Sequence, residues 1–393
     1  MGHDDPVPRS SLLLSAAVLL LVAGCVPSAA RDLDPAPQPA GNALSPQCPT
    51  VSERPVVSAD LVNQVVARAD LPGWQAADIG ASARLADGRL VWVFGDTVRS
   101  AGTEPRIVAN SMLLSAGTCI TQLVTPDGGP VVPDVTEGEV RWPMSVVVLP
   151  PRPELARAGV RDVVVVLCGR TDRGDGGPFD FEFRGTSAAV FVVGDNGVPQ
   201  LREIVEVTPD SGDLTQVNWG AAATVQDDWF YVYGTRLTGR PGEFGRQLFV
   251  ARVPVGTPSD RSTWRFWDGR TWQPDQARAT PVLGAVGGVS QTLSVDQVDG
   301  EWVAVSKRDG DISDFVYTWT APAPTGPWTP RRALESPAGF DTGELTYAPL
   351  AHPEVALTSG RLLVSVSRNT TDLGRLLADP EVGRPLFAEI DRP

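Results

Sequence analysis

Short apolar runs alternate with polar turn signals along the chain, and five of those runs share one shape. They are Gly88–Asp96, Arg161–Arg170, Asp228–Thr235, Gly300–Lys307 and Gly360–Arg368. Each opens at a turn signal, runs through β-forming residues and ends in Gly or Ser followed by a polar residue. Their spacing is roughly 60–75 residues, long for a four-stranded blade but open to looped insertions. A second apolar stretch precedes most of them: Ala81–Leu85, Met144–Leu149, Ala221–Val225, Thr292–Val298 and Val355–Leu357. Outer strands are expected at Ser111–Leu114, Ala189–Val193 and Leu248–Ala251, and helical periodicity only over Ala59–Arg68. The pattern predicts an all-β fold, a five-bladed β-propeller over residues 56–393. Asp96, Arg170, Thr235, Lys307 and Arg368 then occupy equivalent strand ends. Radial closure protects the sheet edges, whereas a pair of β-sandwiches leaves the five matching ends unexplained.

The amino-terminal region follows different rules. Arg9 precedes an apolar run from Leu12 to Val22 broken only by Ser15. That run has the length of a signal-peptide core and is too short to span a bilayer. It ends in Leu21-Val22-Ala23-Gly24-Cys25, which resembles a bacterial lipobox, with Cys25 as the acylated residue. An ordinary signal peptide with an incidental cysteine is the simpler alternative. Acyl chains at Cys25 would contribute about 0.8 kcal/mol per buried methylene to membrane attachment. Residues 26–55, dominated by Ala and Pro up to Pro49, read as a semi-extended tether. The expected location is therefore the outer face of the cell membrane.

Charge narrows the partners. The net charge of −14 becomes −13 once residues 1–25, with Asp4, Asp5 and Arg9, are removed. Such a surface disfavours nucleic acid and anionic lipid. A neutral polysaccharide suits it better, with the membrane engaged only through the lipid and the chain expected as a monomer. His352 is the one histidine beyond residue 25, so a histidine metal cluster is excluded, and neither metal nor cofactor is expected. Of the remaining cysteines, Cys168 ends a buried-strand pattern and reads as a core thiol. Cys48 and Cys119 are left to pair, tying the start of the domain to its first blade.

Several strings together resemble a known family. Phe94-Gly95-Asp96-Thr97, preceded by Asp78-Ile79-Gly80, is similar to a secreted five-bladed propeller family of high-GC bacteria. That family was long a domain of unknown function, and some members are endo-D-arabinanases acting on cell-wall arabinan. The similarity continues through Trp142-Pro143, Asn218-Trp219-Gly220-Ala221-Ala222, Gly288-Val289-Ser290-Gln291, Ala321–Trp328 and His352-Pro353-Glu354. The resemblance implies a glycoside hydrolase acting on a furanose polymer, with D-arabinan foremost, and makes Asp78 and Asp96 catalytic candidates.

The residues can be weighed without it. Glycosidic cleavage usually needs two carboxyl groups, about 5 Å apart in retaining enzymes and about 6.5–9.5 Å apart in inverting ones. Asp78 begins one strand of a hairpin and Asp96 ends the other, so both fall at one end of the sheet. Asp96, at the Gly-Asp-Thr strand end, reads as base or nucleophile, and Glu354 is the reserve carboxylate. Counting back from the matched strand ends places Asn218, Ser290 or Gln291, and His352 with Glu354 near the same mouth. Trp142 and Trp219 fall there too, where an indole face could stack on a sugar.

Plainer readings compete with these. Asp96 could cap its strand through backbone amides, and Trp142 and Trp219 could be blade core. Trp92, Trp229 and Trp302 read as packing, and Gly326-Pro327-Trp328 as an outer turn. His352 could simply hold Glu354 in place. Asp172, Asp175 and Asp180 could bind calcium, although a solvated loop fits their spacing better. A non-catalytic glycan-binding or envelope-organising propeller is the functional alternative.

Overall fold

The computed structural model describes residues 41–393, apart from 50, 52–53, 175–179, 312 and 340. The lipobox with Cys25 lies outside the described residues, as does Asp175. Among the described residues, no helix is long and apolar enough to cross a membrane.

The five matched runs form the second strands of five antiparallel sheets. Blade one is Ala76–Arg84, Leu90–Val98, Ser111–Ala116 and Cys119–Val124, with Ala43–Ser45 added along its outer edge. Blade two is Glu139–Leu149, Asp162–Arg173, Phe181–Val193 and Pro199–Glu206. Blade three runs Asn218–Gln226, Trp229–Arg236, Gln247–Pro254, Arg265–Trp267 and Trp272–Gln273. Blade four is Ser294–Val298, Glu301–Lys307, Phe315–Ala321 and Thr329–Glu335; blade five is Glu344–Ala351, Leu362–Thr370 and Leu386–Ile390. Asp96, Arg170, Thr235, Lys307 and Arg368 all fall in the closing residues of the second strands.

The ring closes because each blade buries both faces. Along Asp162–Arg173, Val164, Val166 and Cys168 pack toward blade one, while Val163, Val165 and Leu167 pack toward blade three. A strand buried on both faces has no polar side, which explains its unbroken apolar run. Equivalent apolar layers join blades three and four, four and five, and five and one. Continuous layers around the ring exclude a pair of sandwiches.

Two boundaries differ from expectation. The tether predicted over 26–55 gives way to a strand at Ala43–Ser45, which pairs with Cys119–Val124 and buries Leu44. The predicted disulfide between Cys48 and Cys119 anchors that edge, with Cα atoms 5.8 Å apart. Cys168 is a buried free thiol, and burial pushes it up to about 12. The inner strand of blade five is Glu344–Ala351, not Val355–Leu357. Ala356–Leu357 instead pairs in parallel with Val56–Val57, linking the segment before the first helix to the last blade. The helix Ala59–Ala67 follows, capped by Ser58 Oγ accepting from the Leu61 amide at 3.1 Å.

The inner strands of blades one, two, three and five bulge. Register breaks occur at Ala77/Ile79 and Ile79/Ala81, Pro143/Ser145, Trp219/Ala222 and Tyr347/Leu350. Ile79 has φ 67° and Ala348 φ 43°, and a β-branched residue pays for such a conformation. The Ile79 amide donates to Ser367 Oγ of blade five at 2.9 Å, which helps hold it. Bulges re-aim side chains at sheet rims, and here those of blades one, two and five line one cavity.

Candidate active site

Asp78 sits on the first bulge and Asp96 near the end of the partner strand. Both line one cavity of about 520 Å³, whose wall also carries Trp142, Arg173, Gln291 and Tyr347. The Gly-Asp-Thr strand end is fixed from behind. Thr97 is fully buried, and its hydroxyl donates to the Gly95 carbonyl at 2.8 Å and meets Ser111 Oγ at 2.7 Å. A Cβ at position 95 would collide with Asp78 Oδ1, so a side chain there would displace the Asp78 carboxyl.

The two carboxyl groups have different surroundings. Asp78 Oδ2 accepts from the Tyr347 hydroxyl at 2.8 Å. Burial, then the charge of Asp96, push Asp78 up to about 7. Asp96 Oδ1 accepts from Trp142 Nε1 at 2.8 Å and is ion-paired to Arg173. Its recessed position raises its pKa, while Arg173 and the Trp142 N–H act to lower it. Asp78 therefore holds a proton near neutrality, and Asp96 has a cation and a donor that favour the carboxylate. Asp96 is not a strand cap: its partners are side chains rather than backbone amides.

Aromatic residues shape one wall. Trp142 packs edge-on against Phe181, with ring centroids 5.0 Å apart, and the Arg173 guanidinium lies 5.5 Å from the Trp142 ring. Gln291 reaches the cavity with its side chain held by Arg246 Nη2 at 3.1 Å and its amide bonded to Asp311 at 3.0 Å. On the far side, the buried Lys307 donates to the Thr346 carbonyl at 2.6 Å, steadying the strand that carries Tyr347.

Other candidates lie elsewhere. Trp219 is fully buried and packs against Phe249 and Phe266, so it is blade core and not a sugar platform. The bulge at Gly220, φ 95°, interrupts the alternation on which its placement rested. Asn218 is buried beside it, and Ser290 is buried with its amide bonded to Ser306; neither lines the cavity. His352 and Glu354 sit at the opposite end of the channel. His352 is fully buried against Trp92 and Phe387, with ring nitrogens 2.6 Å from Ser82 Oγ and 2.7 Å from Ser365 Oγ. Glu354 accepts from Ser82, and Arg54 and Arg84 donate to its carbonyl. Neither residue touches the cavity, so the structure does not bring Glu354 and His352 together with Asp78 and Asp96. The error follows from the inner strand of blade five: counting from Val355–Leu357 moves these residues to the wrong end.

Trp92 packs on His352, Trp302 on Tyr231 and Trp229 beneath Arg252, all as packing. Gly326-Pro327-Trp328 lies in the turn between the outer strands of blade four. Asp172 pairs with Arg184, and Asp180 lines the cavity. Among the described residues, no group of three or more His, Cys, Asp or Glu is placed to hold a metal ion. Tyr347, Arg173 and Phe181 escaped the sequence reading. Arg173 and Phe181 flank the glycine-rich stretch read as a solvated loop, and Tyr347 lies in the unrecognised strand.

The class is a five-bladed β-propeller with paired acidic groups on the wall of one cavity. Residues 61–391 match the family described as a domain of unknown function, DUF5005, and the chain belongs to that family. A Bacteroides ovatus protein provisionally described as a hydrolase shares the fold, at 16% identity and a TM-score of 0.63 over 84% of this chain and 88% of that one. A GH43_1 enzyme from Xanthomonas citri superposes less closely, at 16% identity and a TM-score of 0.43 over 84% and 92%. In sequence, the notoamide biosynthesis cluster protein J' of Aspergillus versicolor is 26% identical over 146 residues. That match covers 37% of this chain and 38% of the relative, so the chain spans little more than a third of the curated relatives it matches.

Proposed function

We propose that this protein is a glycoside hydrolase acting on a furanose polysaccharide, with D-arabinan of the cell envelope as the substrate implied by the sequence resemblance. The observation that carries the reading is the pairing of Asp78 and Asp96 on one cavity wall in unlike environments. Two carboxyl groups on one wall, one to protonate the leaving oxygen and one to act as base or nucleophile, are the minimum kit for glycosidic cleavage. Asp78, pushed up to about 7, protonates the leaving oxygen. Asp96 supplies the carboxylate, as base toward water or as nucleophile at the sugar carbon. The Trp142–Phe181 wall offers apolar surface for a sugar face. The chain is held outside the cell membrane through a lipid on Cys25, as its Leu-Val-Ala-Gly-Cys string indicates.

One contact favours a second reading. Arg173 lies directly on Asp96, and a cation kept there would leave a glycan-binding propeller without turnover. The two separate in one experiment: incubation of the protein with purified cell-wall arabinan, followed by product analysis and a binding measurement. Release of oligosaccharides supports the hydrolase. Binding without products supports the alternative, and the absence of both products and binding overturns both readings. Release of the protein from membranes by Cys25→Ala tests the anchor.

A further inference from the structure

The hydrogen bonds behind Asp78 have a forced direction. Asn369 Oδ1 accepts from the Thr370 amide at 2.8 Å, which fixes the orientation of its side-chain amide. Its Nδ2 therefore faces Tyr347 and donates to the hydroxyl oxygen at 3.3 Å. An amide nitrogen cannot accept, so the Tyr347 proton points away from Asn369, to Asp78 Oδ2 at 2.8 Å. Burial, and the carboxylate beside it, raise the pKa of Tyr347, so it stays a donor. The supports are rigid. Asn369 lies on the strand Leu362–Thr370, whose Ser367 also holds the Ile79 amide next to Asp78. Lys307 pins the Thr346 carbonyl, one residue before Tyr347.

Oδ2 is thus an acceptor in either protonation state. A proton on Asp78 belongs on Oδ1, which lies over Gly95 where both residues line the cavity. We infer that Asn369 and Tyr347 are positioning residues: they assign the acidic proton to Oδ1 of Asp78 and so present the general acid to the leaving oxygen. This rests on the hydrolase reading above and deepens it. In the step itself, the Oδ1 proton passes to the glycosidic oxygen as the carbon–oxygen bond breaks. Water supplies the hydroxyl of the other fragment, and its second proton restores the carboxyl pair through Asp96 and solvent. The electron pair of the broken bond leaves with the protonated oxygen, so nothing is oxidised or reduced.

Two variants test the relay. Tyr347→Phe removes the donor. Asn369→Asp keeps an acceptor for the Thr370 amide but offers Tyr347 a carboxylate, which turns its proton away from Asp78. Both should lower kcat roughly 10- to 100-fold with KM within about twofold. Both should also move the basic limb of the pH–kcat profile upward, because the Tyr347 bond lowers the Asp78 pKa. A limb that stays in place, with kcat within about twofold of wild type, overturns the inference, and Asn369→Asp gives the reading if Tyr347→Phe fails to fold. A carbon-13 carboxyl titration of Asp78, assigned with Asp78→Asn, needs no substrate. Its pKa should rise in both variants, and an unmoved titration sinks the relay even if wild type proves inactive. An inactive wild type whose Asp78 titration does shift leaves the relay standing and removes only the hydrolase reading.

Discussion

The two ends of the central channel are built from the same inner strands and end in opposite chemistry. At one, Asp78 meets Asp96 on the wall of a cavity; at the other, Glu354 meets Ser82 and His352. Asp78 and Ser82 share one strand, about 13 Å apart along it. A carboxyl group at each end is pushed up to about 7, with burial the main cause in both. A perturbed carboxyl is therefore not enough to mark a catalytic site. What separates the ends is access: the Glu354 cluster bonds within itself, whereas Asp78 and Asp96 line the cavity.

The largest expected effect tests that distinction directly. Asp78→Asn and Asp96→Asn should each cut kcat/KM on a confirmed substrate by about three orders of magnitude or more. Thermal unfolding should hold or rise, since each change removes a carboxylate whose charged form burial disfavours. Near-full activity in either variant, measured as released reducing ends, breaks the assignment.

At the closed end the loss should fall on stability. His352→Ala removes a ring packed between Trp92 and Phe387 and strands the hydroxyl of Ser365, while Ser82 keeps its bond to Glu354. A cost of about 2–4 kcal/mol in denaturant unfolding is expected, with kcat/KM of the folded protein within about threefold of wild type. Loss of turnover without loss of stability would make the two ends one site.

The subtlest effect depends on pH. Burial lifts Glu354 to about 7 in the folded state, above its unfolded value. Its share of stability is full below about pH 4.5 and is lost as pH rises through 7. Glu354→Gln, which stays neutral, should match wild type near pH 5 and exceed it near pH 8 by up to about 3 kcal/mol. An equal stability difference at both pH values, by urea denaturation, would show that Glu354 does not titrate in this window.

These contrasts also show where the sequence could be read. Val163–Leu167 announced a strand buried on both faces, and five such strands with polar ends fixed the number of blades. Asp78 and Asp96 were legible as a pair because a hairpin returns both to one end of a sheet. Tyr347 was not, because the bulge at Ala348 and the adjoining Pro349 break the apolar alternation of its strand. The cleaner Val355–Leu357 drew attention instead, and His352 and Glu354 were carried to the wrong mouth with it. Trp219 was misplaced for a related reason: its strand bulges one residue later, and sequence spacing does not report which face survives. Ala43–Ser45 is three residues long in a Pro-rich segment, and only its pairing with Cys119–Val124 and the nearby disulfide make it a strand.

The empty position at Gly95 offers a way to sort related sequences. The space a methyl group would fill there is occupied by Asp78 Oδ1, so residues 78, 95 and 96 form a single constraint. A homologue that keeps both aspartates but carries a side chain between Phe94 and Asp96 would have to move its acid off the wall. Such a chain could fold with all five blades and still hold its first carboxyl group in the wrong place. The aspartates with their glycine, taken as a set of three, should therefore divide members of the family that keep this paired arrangement from those that retain only the scaffold.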